Sequence, residues 1–316
     1  MVLGGTVDRD TEAEPERLVA RTPAGVVEPE LEVRVLTNAA TITGASEEAI
    51  SREGRHFELV ALLALSGGLT KEDARAAIYG SGSSTGNITN IASQARKMLG
   101  VDLDGQLFLP EASSRGVLRL SPRVTTDLAR LVDAVNAAAG AKASEAMFLY
   151  ASVLDLIEVT PAAAVNHPWS WWVHYAALAE KAALAAACSL ARLTIETKGD
   201  MEGARRGIHQ ARVLAPYAEE LYRAAIELAG AAGNVSWAQR EWDELHRMLD
   251  ELSPGMSPSP ETQAVYQAVM QPGLGADHRS HTTNGALATV GSEATDLSPS
   301  RRGGGPRYGS QFAHRL

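Results

Sequence analysis

The sequence predicts a mainly α-helical chain, with a small α+β unit followed by an all-α array of paired helices. Three observations carry this. Short alternating or apolar runs that read as strands lie on both sides of a helical stretch between Leu31 and Leu120. From Asp127 onward, apolar residues recur at helical spacing. Within that second half the sequence repeats at 34 residues: Gly199 aligns with Gly233, Asp200 with Asn234, Ala204 with Ala238 and Leu214 with Met248.

The 316 residues suffice for about two domains, and a hydrophobic content of 45% can fill real cores. A single cysteine, Cys188, excludes an internal disulfide and a cysteine-based zinc site. Set in LAAACSLA, it reads as a small buried side chain rather than a nucleophile. No apolar run approaches the roughly 18 residues of a spanning helix, and the first residues lack the basic-then-apolar order of a signal peptide, so a cytoplasmic location is expected. The net charge of −9 argues against a generally basic coat for nucleic acid. Its distribution is uneven: residues 31–126 hold 10 basic and 10 acidic side chains, whereas residues 127–270 hold 11 and 18. The acidity therefore lies outside the first folded segment.

Residues 1–30 are acidic, carry Pro and Gly, and show no periodicity, as a disordered lead does. Leu31–Leu36 alternates as a half-buried strand, Asn38–Ile42 is a candidate return strand, and Ala45–Ser51 a loop. Phe57–Leu65 is apolar on nearly all sides, a buried helix that Gly67-Gly68 should end. Thr70 followed by Asp73 is a capping-box start for the next helix, and Gly80–Gly86 is a small, polar breaker. In the helix expected over Thr85–Leu99, Ile88, Ile91, Ala92, Ala95, Met98 and Leu99 fall on one face. Asn87, Asn90, Ser93, Gln94, Arg96 and Lys97 fall on the other. Taken alone this is an ordinary solvated face. Amides, a hydroxyl and cations on one face are also what base edges and phosphates require. Gln106–Pro110 and Gly116–Leu120 read as a hairpin around the polar loop Glu111–Arg115.

Strands, helix, helix, loop, helix and hairpin, in that order, make a winged helix-turn-helix over residues 31–126. The Arg55 entry to a Leu-rich helix and Ala95-Arg-Lys-Met-Leu-Gly100 resemble the effector domain of response-regulator type transcription factors. The match is to the version in Streptomyces antibiotic regulatory proteins. The motif Gly116-Val-Leu-Arg-Leu120 lacks the family's tyrosine, Tyr79 stands where a tryptophan is usual, and Ser93-Gln94-Ala95-Arg96 has one basic residue fewer than the common pattern.

Residues 127–270 begin with amphipathic stretches over Leu128–Ala139 and Ser144–Ile157, interrupted by Pro161 and His167-Pro168. Pro168-Trp-Ser-Trp-Trp172 is the densest aromatic cluster and reads as a packing anchor before it reads as a stacking platform. The repeat that follows has the tetratricopeptide period. Together with Trp169–Trp172, the sequence resembles the bacterial transcriptional activator domain at Gly199-Asp200 and Ala204, Ala215-Pro-Tyr-Ala-Glu219, Leu221-Tyr-Arg, and Pro258-Ser-Pro-Glu-Thr262 with Tyr266. The variety most alike is the C-terminal part of larger actinobacterial proteins with membrane and LysM segments upstream. Residues 271–316 are rich in Gly, Ser, Thr and Arg, the composition of a disordered tail.

Catalytic signatures do not assemble. The eight histidines are scattered without a His-Glu-x-x-His, and Gly80–Gly86 lacks the lysine of a phosphate loop and the spacing of a nucleophile elbow. No enzyme activity, cofactor or metal is expected. The resemblance implies a transcriptional regulator whose partners are double-stranded DNA and, through the helical array, a protein or a second copy. Asn87, Asn90, Ser93, Gln94, Arg96 and Lys97 are the candidate DNA contacts, with Arg115 and Arg119 on the wing. The competing expectation is a helical scaffold or adaptor whose winged helix has lost DNA binding.

Overall fold

The computed structural model describes residues 29–37, 40–44, 54–80, 87–157 and 169–271. The acidic lead up to Glu28, the Ala45–Ser51 loop, most of Gly80–Gly86, the Pro161 to Pro168 interruption and the tail after Gln271 lie outside them.

The chain enters through β1 (Leu31–Arg34), which pairs antiparallel with β2 (Thr41–Thr43) and parallel with β5 (Val124–Thr126) in the order β2-β1-β5. Leu31 and Val33 point into the core while Glu32 and Arg34 do not, the period-two alternation of a half-buried strand. Helix α1 (Arg55–Ser66) buries every residue from Phe57 to Leu63. It stops at Gly67, whose φ of 71° is the left-handed state that glycine adopts freely and whose amide bonds back to Leu63 at 3.1 Å. Strand β3 (Leu69–Thr70) leads into α2 (Lys71–Tyr79). Thr70 caps α2 by accepting the Asp73 amide, the first bond of a capping box, and its hydroxyl donates to the Asp73 carboxylate. Asn87 caps α3 (Ile88–Leu99), and α1 packs on both α2 and α3.

The expected hairpin is corrected. Gln106–Pro110 is not a strand: only Leu107 makes a bridge, and its partner is Val101. The second limb does form β4 (Val117–Leu118), but its partner is β3, through Leu69–Leu118 and Thr70–Val117. Phe108 and Leu109 are instead buried apolar contacts of the core. Burial of these two side chains wins over strand pairing, and β4 closes against the short strand that precedes α2.

Strand β5 runs into α4 (Asp127–Ala138) with no linker, and Thr126 caps it by accepting the Ala129 amide at 2.9 Å. Asp127 is fully buried, and its carboxylate accepts the amides of Val35 (2.9 Å), Leu36 (2.7 Å) and Leu128 (2.8 Å). The array continues through α5 (Ala143–Leu154), α6 (Trp172–Thr197), α7 (Met201–Leu214), α8 (Glu219–Ala231), α9 (Val235–Leu252) and α10 (Pro260–Met270). Helix α6 is 26 residues long, about 39 Å at 1.5 Å per residue, and lies against α4, α5, α7 and α8. Its buried stripe includes Ala179, Ala182, Ala183, Ala186, Ala187 and Ala191, small side chains that let neighbouring helices approach closely.

The 34-residue repeat is real structure: α6–α7 and α8–α9 are the two helix pairs. Asp200 and Asn234 cap the second helix of each, and Ala204 and Ala238 are buried at 1% and 0% exposure. Ser259 opens α10 and is tied to α8 through Glu219, which accepts both its amide (2.8 Å) and its hydroxyl (2.6 Å).

The aromatic cluster joins the two halves. Trp169 stacks on Phe57 of α1 and on Trp171, and the Trp171 indole donates to the buried carboxylate of Glu58 at 3.2 Å. It is therefore an anchor, and what it anchors is α1 to the start of α6. One continuous apolar core runs from the sheet through α1 into the array. No described helix is long and apolar enough to cross a membrane.

Candidate nucleic-acid interface

Helix α3 buries Ile88, Ile91, Ala92, Ala95 and Leu99, the face expected to be apolar. The opposite side presents Asn87, Asn90, Gln94 and Lys97, all exposed, at spacings of three, four and three residues, which place them along one stripe. Ser93 is half-buried at its border. Thr89, which the sequence reading passed over, is also exposed here; its place next to Asn90 in the first turn was the available signal. Asn87 accepts the Asn90 amide at 2.9 Å through Oδ1, so its carbonyl serves the helix cap and its NH2 remains directed by that bond.

Arg96 stands apart from this stripe. Its side chain is only 15% exposed, its Nε donates to the Leu109 carbonyl at 3.0 Å, and its Nη1 pairs with Glu111 at 3.0 Å. The guanidinium therefore fastens the last turn of α3 to the loop leading into the wing. Among the described residues of α3, Lys97 is the one exposed cation.

The wing is the segment between Leu109 and Leu120. Ser113 Oγ accepts the Val117 amide and the Gly116 amide returns to the Ser113 carbonyl, closing a tight tip that displays Arg115. The Lys71 amide donates to the Gly116 carbonyl at 3.1 Å, so this tip sits at the first residue of α2. Arg119 is exposed beside Gly68, where a Cβ would lie 3.1 Å from the Arg119 Nε and 3.0 Å from the Leu118 carbonyl oxygen. Neither Arg115 nor Arg119 pairs with a carboxylate among the described residues, whereas Arg123 is held by Glu30, Asp102 and Asp104. The structure thus lines up four of the eight candidates on α3, places two on the wing, and assigns Arg96 to the joint between them.

Other chemistry is sparse. Burial pushes the Cys188 thiol up to about 12, with the nearby Glu220 adding to the effect, which keeps it from acting as a thiolate. Among the described residues no group of three His, Cys, Asp or Glu side chains could hold a metal ion.

The geometry defines a two-part architecture: a winged helix whose α3 carries an exposed polar stripe, followed by a tetratricopeptide-like helical array. The same architecture is found in a solved structure, that of Mycobacterium tuberculosis EmbR in complex with a low affinity phosphopeptide. The likeness has a TM-score of 0.52 at 19% identity, over 78% of this chain and 66% of that one, so this chain spans about two thirds of the length of EmbR in that structure. No protein-family model matches the sequence. No curated protein matches it either.

Proposed function

We propose that this chain is a DNA-binding transcriptional regulator of the Streptomyces antibiotic regulatory protein type. In this reading α3 enters the major groove, and the helical array holds a protein partner or a second copy. The observation that carries it is the exposed stripe Asn87, Asn90, Gln94 and Lys97 on a helix whose other face is fully packed. Asn and Gln amides match the donor and acceptor edge of adenine, and Lys97 a phosphate. Arg115 and Arg119 supply cations from the wing, free of carboxylate partners among the described residues. Ser93 borders the stripe as a secondary contact, and Arg96 contributes by positioning, since its guanidinium is engaged by Leu109 and Glu111. EmbR, which shares the architecture, was solved in complex with a phosphopeptide, and this supports a protein partner for the present chain.

Selection of bound duplexes from a randomised pool tests the reading. Recovery of a shared short motif is expected, and its loss in Asn90→Ala with Gln94→Ala would assign the readout to α3. Recovery of duplexes without any common sequence would remove specific recognition.

One observation favours a second reading, a helical scaffold whose winged helix no longer binds DNA. With Arg96 engaged, α3 offers one exposed cation, Lys97, among its described residues, where phosphate neutralisation dominates the affinity of DNA-binding proteins.

A further inference from the structure

A groove of about 730 Å3 lies between α7 and α9 and is floored by Pro216 and Tyr222. These are the second helices of the two 34-residue units. The first helices, α6 and α8, pack against each other, so the groove opens on the side of the second helices.

Its charge is unlike that of its surroundings. Arg205, Arg206, Arg212 and Arg240 line it, four of the 11 basic residues in a segment that holds 18 acidic ones, so the basic side chains are concentrated here. Two of the four are already engaged. Arg212 lies 3.9 Å over the Tyr222 ring and pairs with Glu241 at 2.6 Å, while its Nε is buried with no acceptor. Arg205 lies over Trp237 and pairs with Glu202 at 3.3 Å. Trp237 donates its indole N–H to Glu241 at 2.8 Å, which fixes the groove wall. Arg206 and Arg240 are exposed on opposite walls and have no carboxylate partner among the described residues.

We propose that this groove binds an extended, acidic peptide segment of a partner protein. Carboxylates of the peptide meet Arg206 and Arg240 at the two walls, while Arg212, held by Tyr222 and Glu241, backs the groove. A nucleic-acid backbone fits less well, because Glu202, Glu241 and Glu244 also line the groove and repel a continuous row of phosphates. An extended peptide places successive side chains on opposite sides, so two neighbouring carboxylates can reach Arg206 and Arg240 on the opposite walls. The inference deepens the partner-binding part of the proposed function and does not require α3 to bind DNA.

The test uses the full chain and a fluorescein-labelled peptide of about eight residues repeating Glu-Glu-Leu-Leu, which puts carboxylates on both sides of an extended chain, with the corresponding Lys–Leu peptide and a single-stranded oligonucleotide as comparators. The acidic peptide is expected to bind saturably at micromolar concentration, and the Arg206→Glu, Arg240→Glu double variant to bind about tenfold or more weakly. Both side chains are exposed, so the variant keeps its helical circular dichroism. Binding of the Lys–Leu peptide by that variant would strengthen the assignment. Three results overturn it: no saturable binding of the acidic peptide up to about 1 mM, unchanged affinity in the folded variant, or tighter binding of the oligonucleotide than of the peptide. Lys97→Ala leaves peptide binding unchanged, so failure of DNA recognition and failure of the groove assignment are read separately.

Discussion

Asp127 accepts the backbone amide of Leu36 at 2.7 Å, across 91 residues of sequence. With the Val35 and Leu128 amides on its other oxygen, this carboxylate ties the end of β1 to the first turn of α4. The winged helix and the helical array thus share this buried side chain, beside the aromatic anchor and the common apolar core. Asp127→Asn turns an NH2 donor toward amides that already donate, leaving at least one buried N–H unmatched, at a cost of about 1–3 kcal/mol. Urea unfolding should show that loss as a single transition for sheet and array. Separate transitions, with only the sheet affected, would mean that Asp127 does not couple them.

The same residue gives a pH signature. Burial, the largest effect, outweighs the three amide hydrogen bonds and raises the Asp127 pKa from the ordinary 3.8 to about 6, with Glu32 adding a smaller push in the same direction. A carboxyl raised in the folded state contributes stability that is fully present below the ordinary value and is lost as pH rises through the folded one. The stability advantage of the native chain over Asp127→Asn should therefore narrow between pH 4 and 6. A constant difference across that range, measured by urea titration, would contradict the raised pKa.

Arg96 and Lys97 are neighbours in sequence with opposite assignments. Lys97→Ala should leave stability unchanged, weaken DNA binding evenly across sequences, and reduce the slope of log affinity against log salt by about one. Arg96→Ala should lower stability by about 1–2 kcal/mol, because the Leu109 carbonyl and Glu111 lose their charged partner. Thermal melts of the two variants, run beside binding, check both directions. Equal stability of the two would place Arg96 back on the reading face.

Trp171→Phe keeps the stacking surface but removes the N–H that reaches Glu58, a side chain only 4% exposed. Arg55 remains as its partner at 2.6 Å, so a loss of about 1–2 kcal/mol is expected. Trp169→Ala, which also empties the space against Phe57, should cost about 3–5 kcal/mol. Chemical denaturation of both variants orders them, and the reverse order would deny the anchor role.

Much of this fold was legible in the sequence because its signals are local. Thr70 announces a helix start, Gly67 a helix end, and the 34-residue register, with Asp200 and Asn234 at its turns, both helix pairs, whereas Asn87, expected on the polar face of a helix over Thr85–Leu99, is the cap of α3. The polar stripe of α3 followed from helical spacing alone. What stayed hidden depends on distant partners. Two-residue β3 carries too little pattern to reveal its pairing with β4. Nothing near Arg96 shows that its guanidinium turns onto a carbonyl 13 residues away, and nothing near Trp171 points to Glu58, 113 residues earlier. Nothing near Asp127 shows that its carboxylate accepts the amides of Val35 and Leu36, 92 and 91 residues earlier.

The central claim is that α3 reads DNA. Its most direct test is fluorescence anisotropy of the full chain with labelled duplex from upstream of its own coding region, at about 50 mM salt, where phosphate contacts are strongest. The account predicts saturable binding that weakens with added salt and that Asn90→Ala with Gln94→Ala reduces on the specific duplex toward the level of a scrambled one. Absence of binding by the folded chain at that salt concentration, or binding indifferent to Asn90 and Gln94, would contradict it.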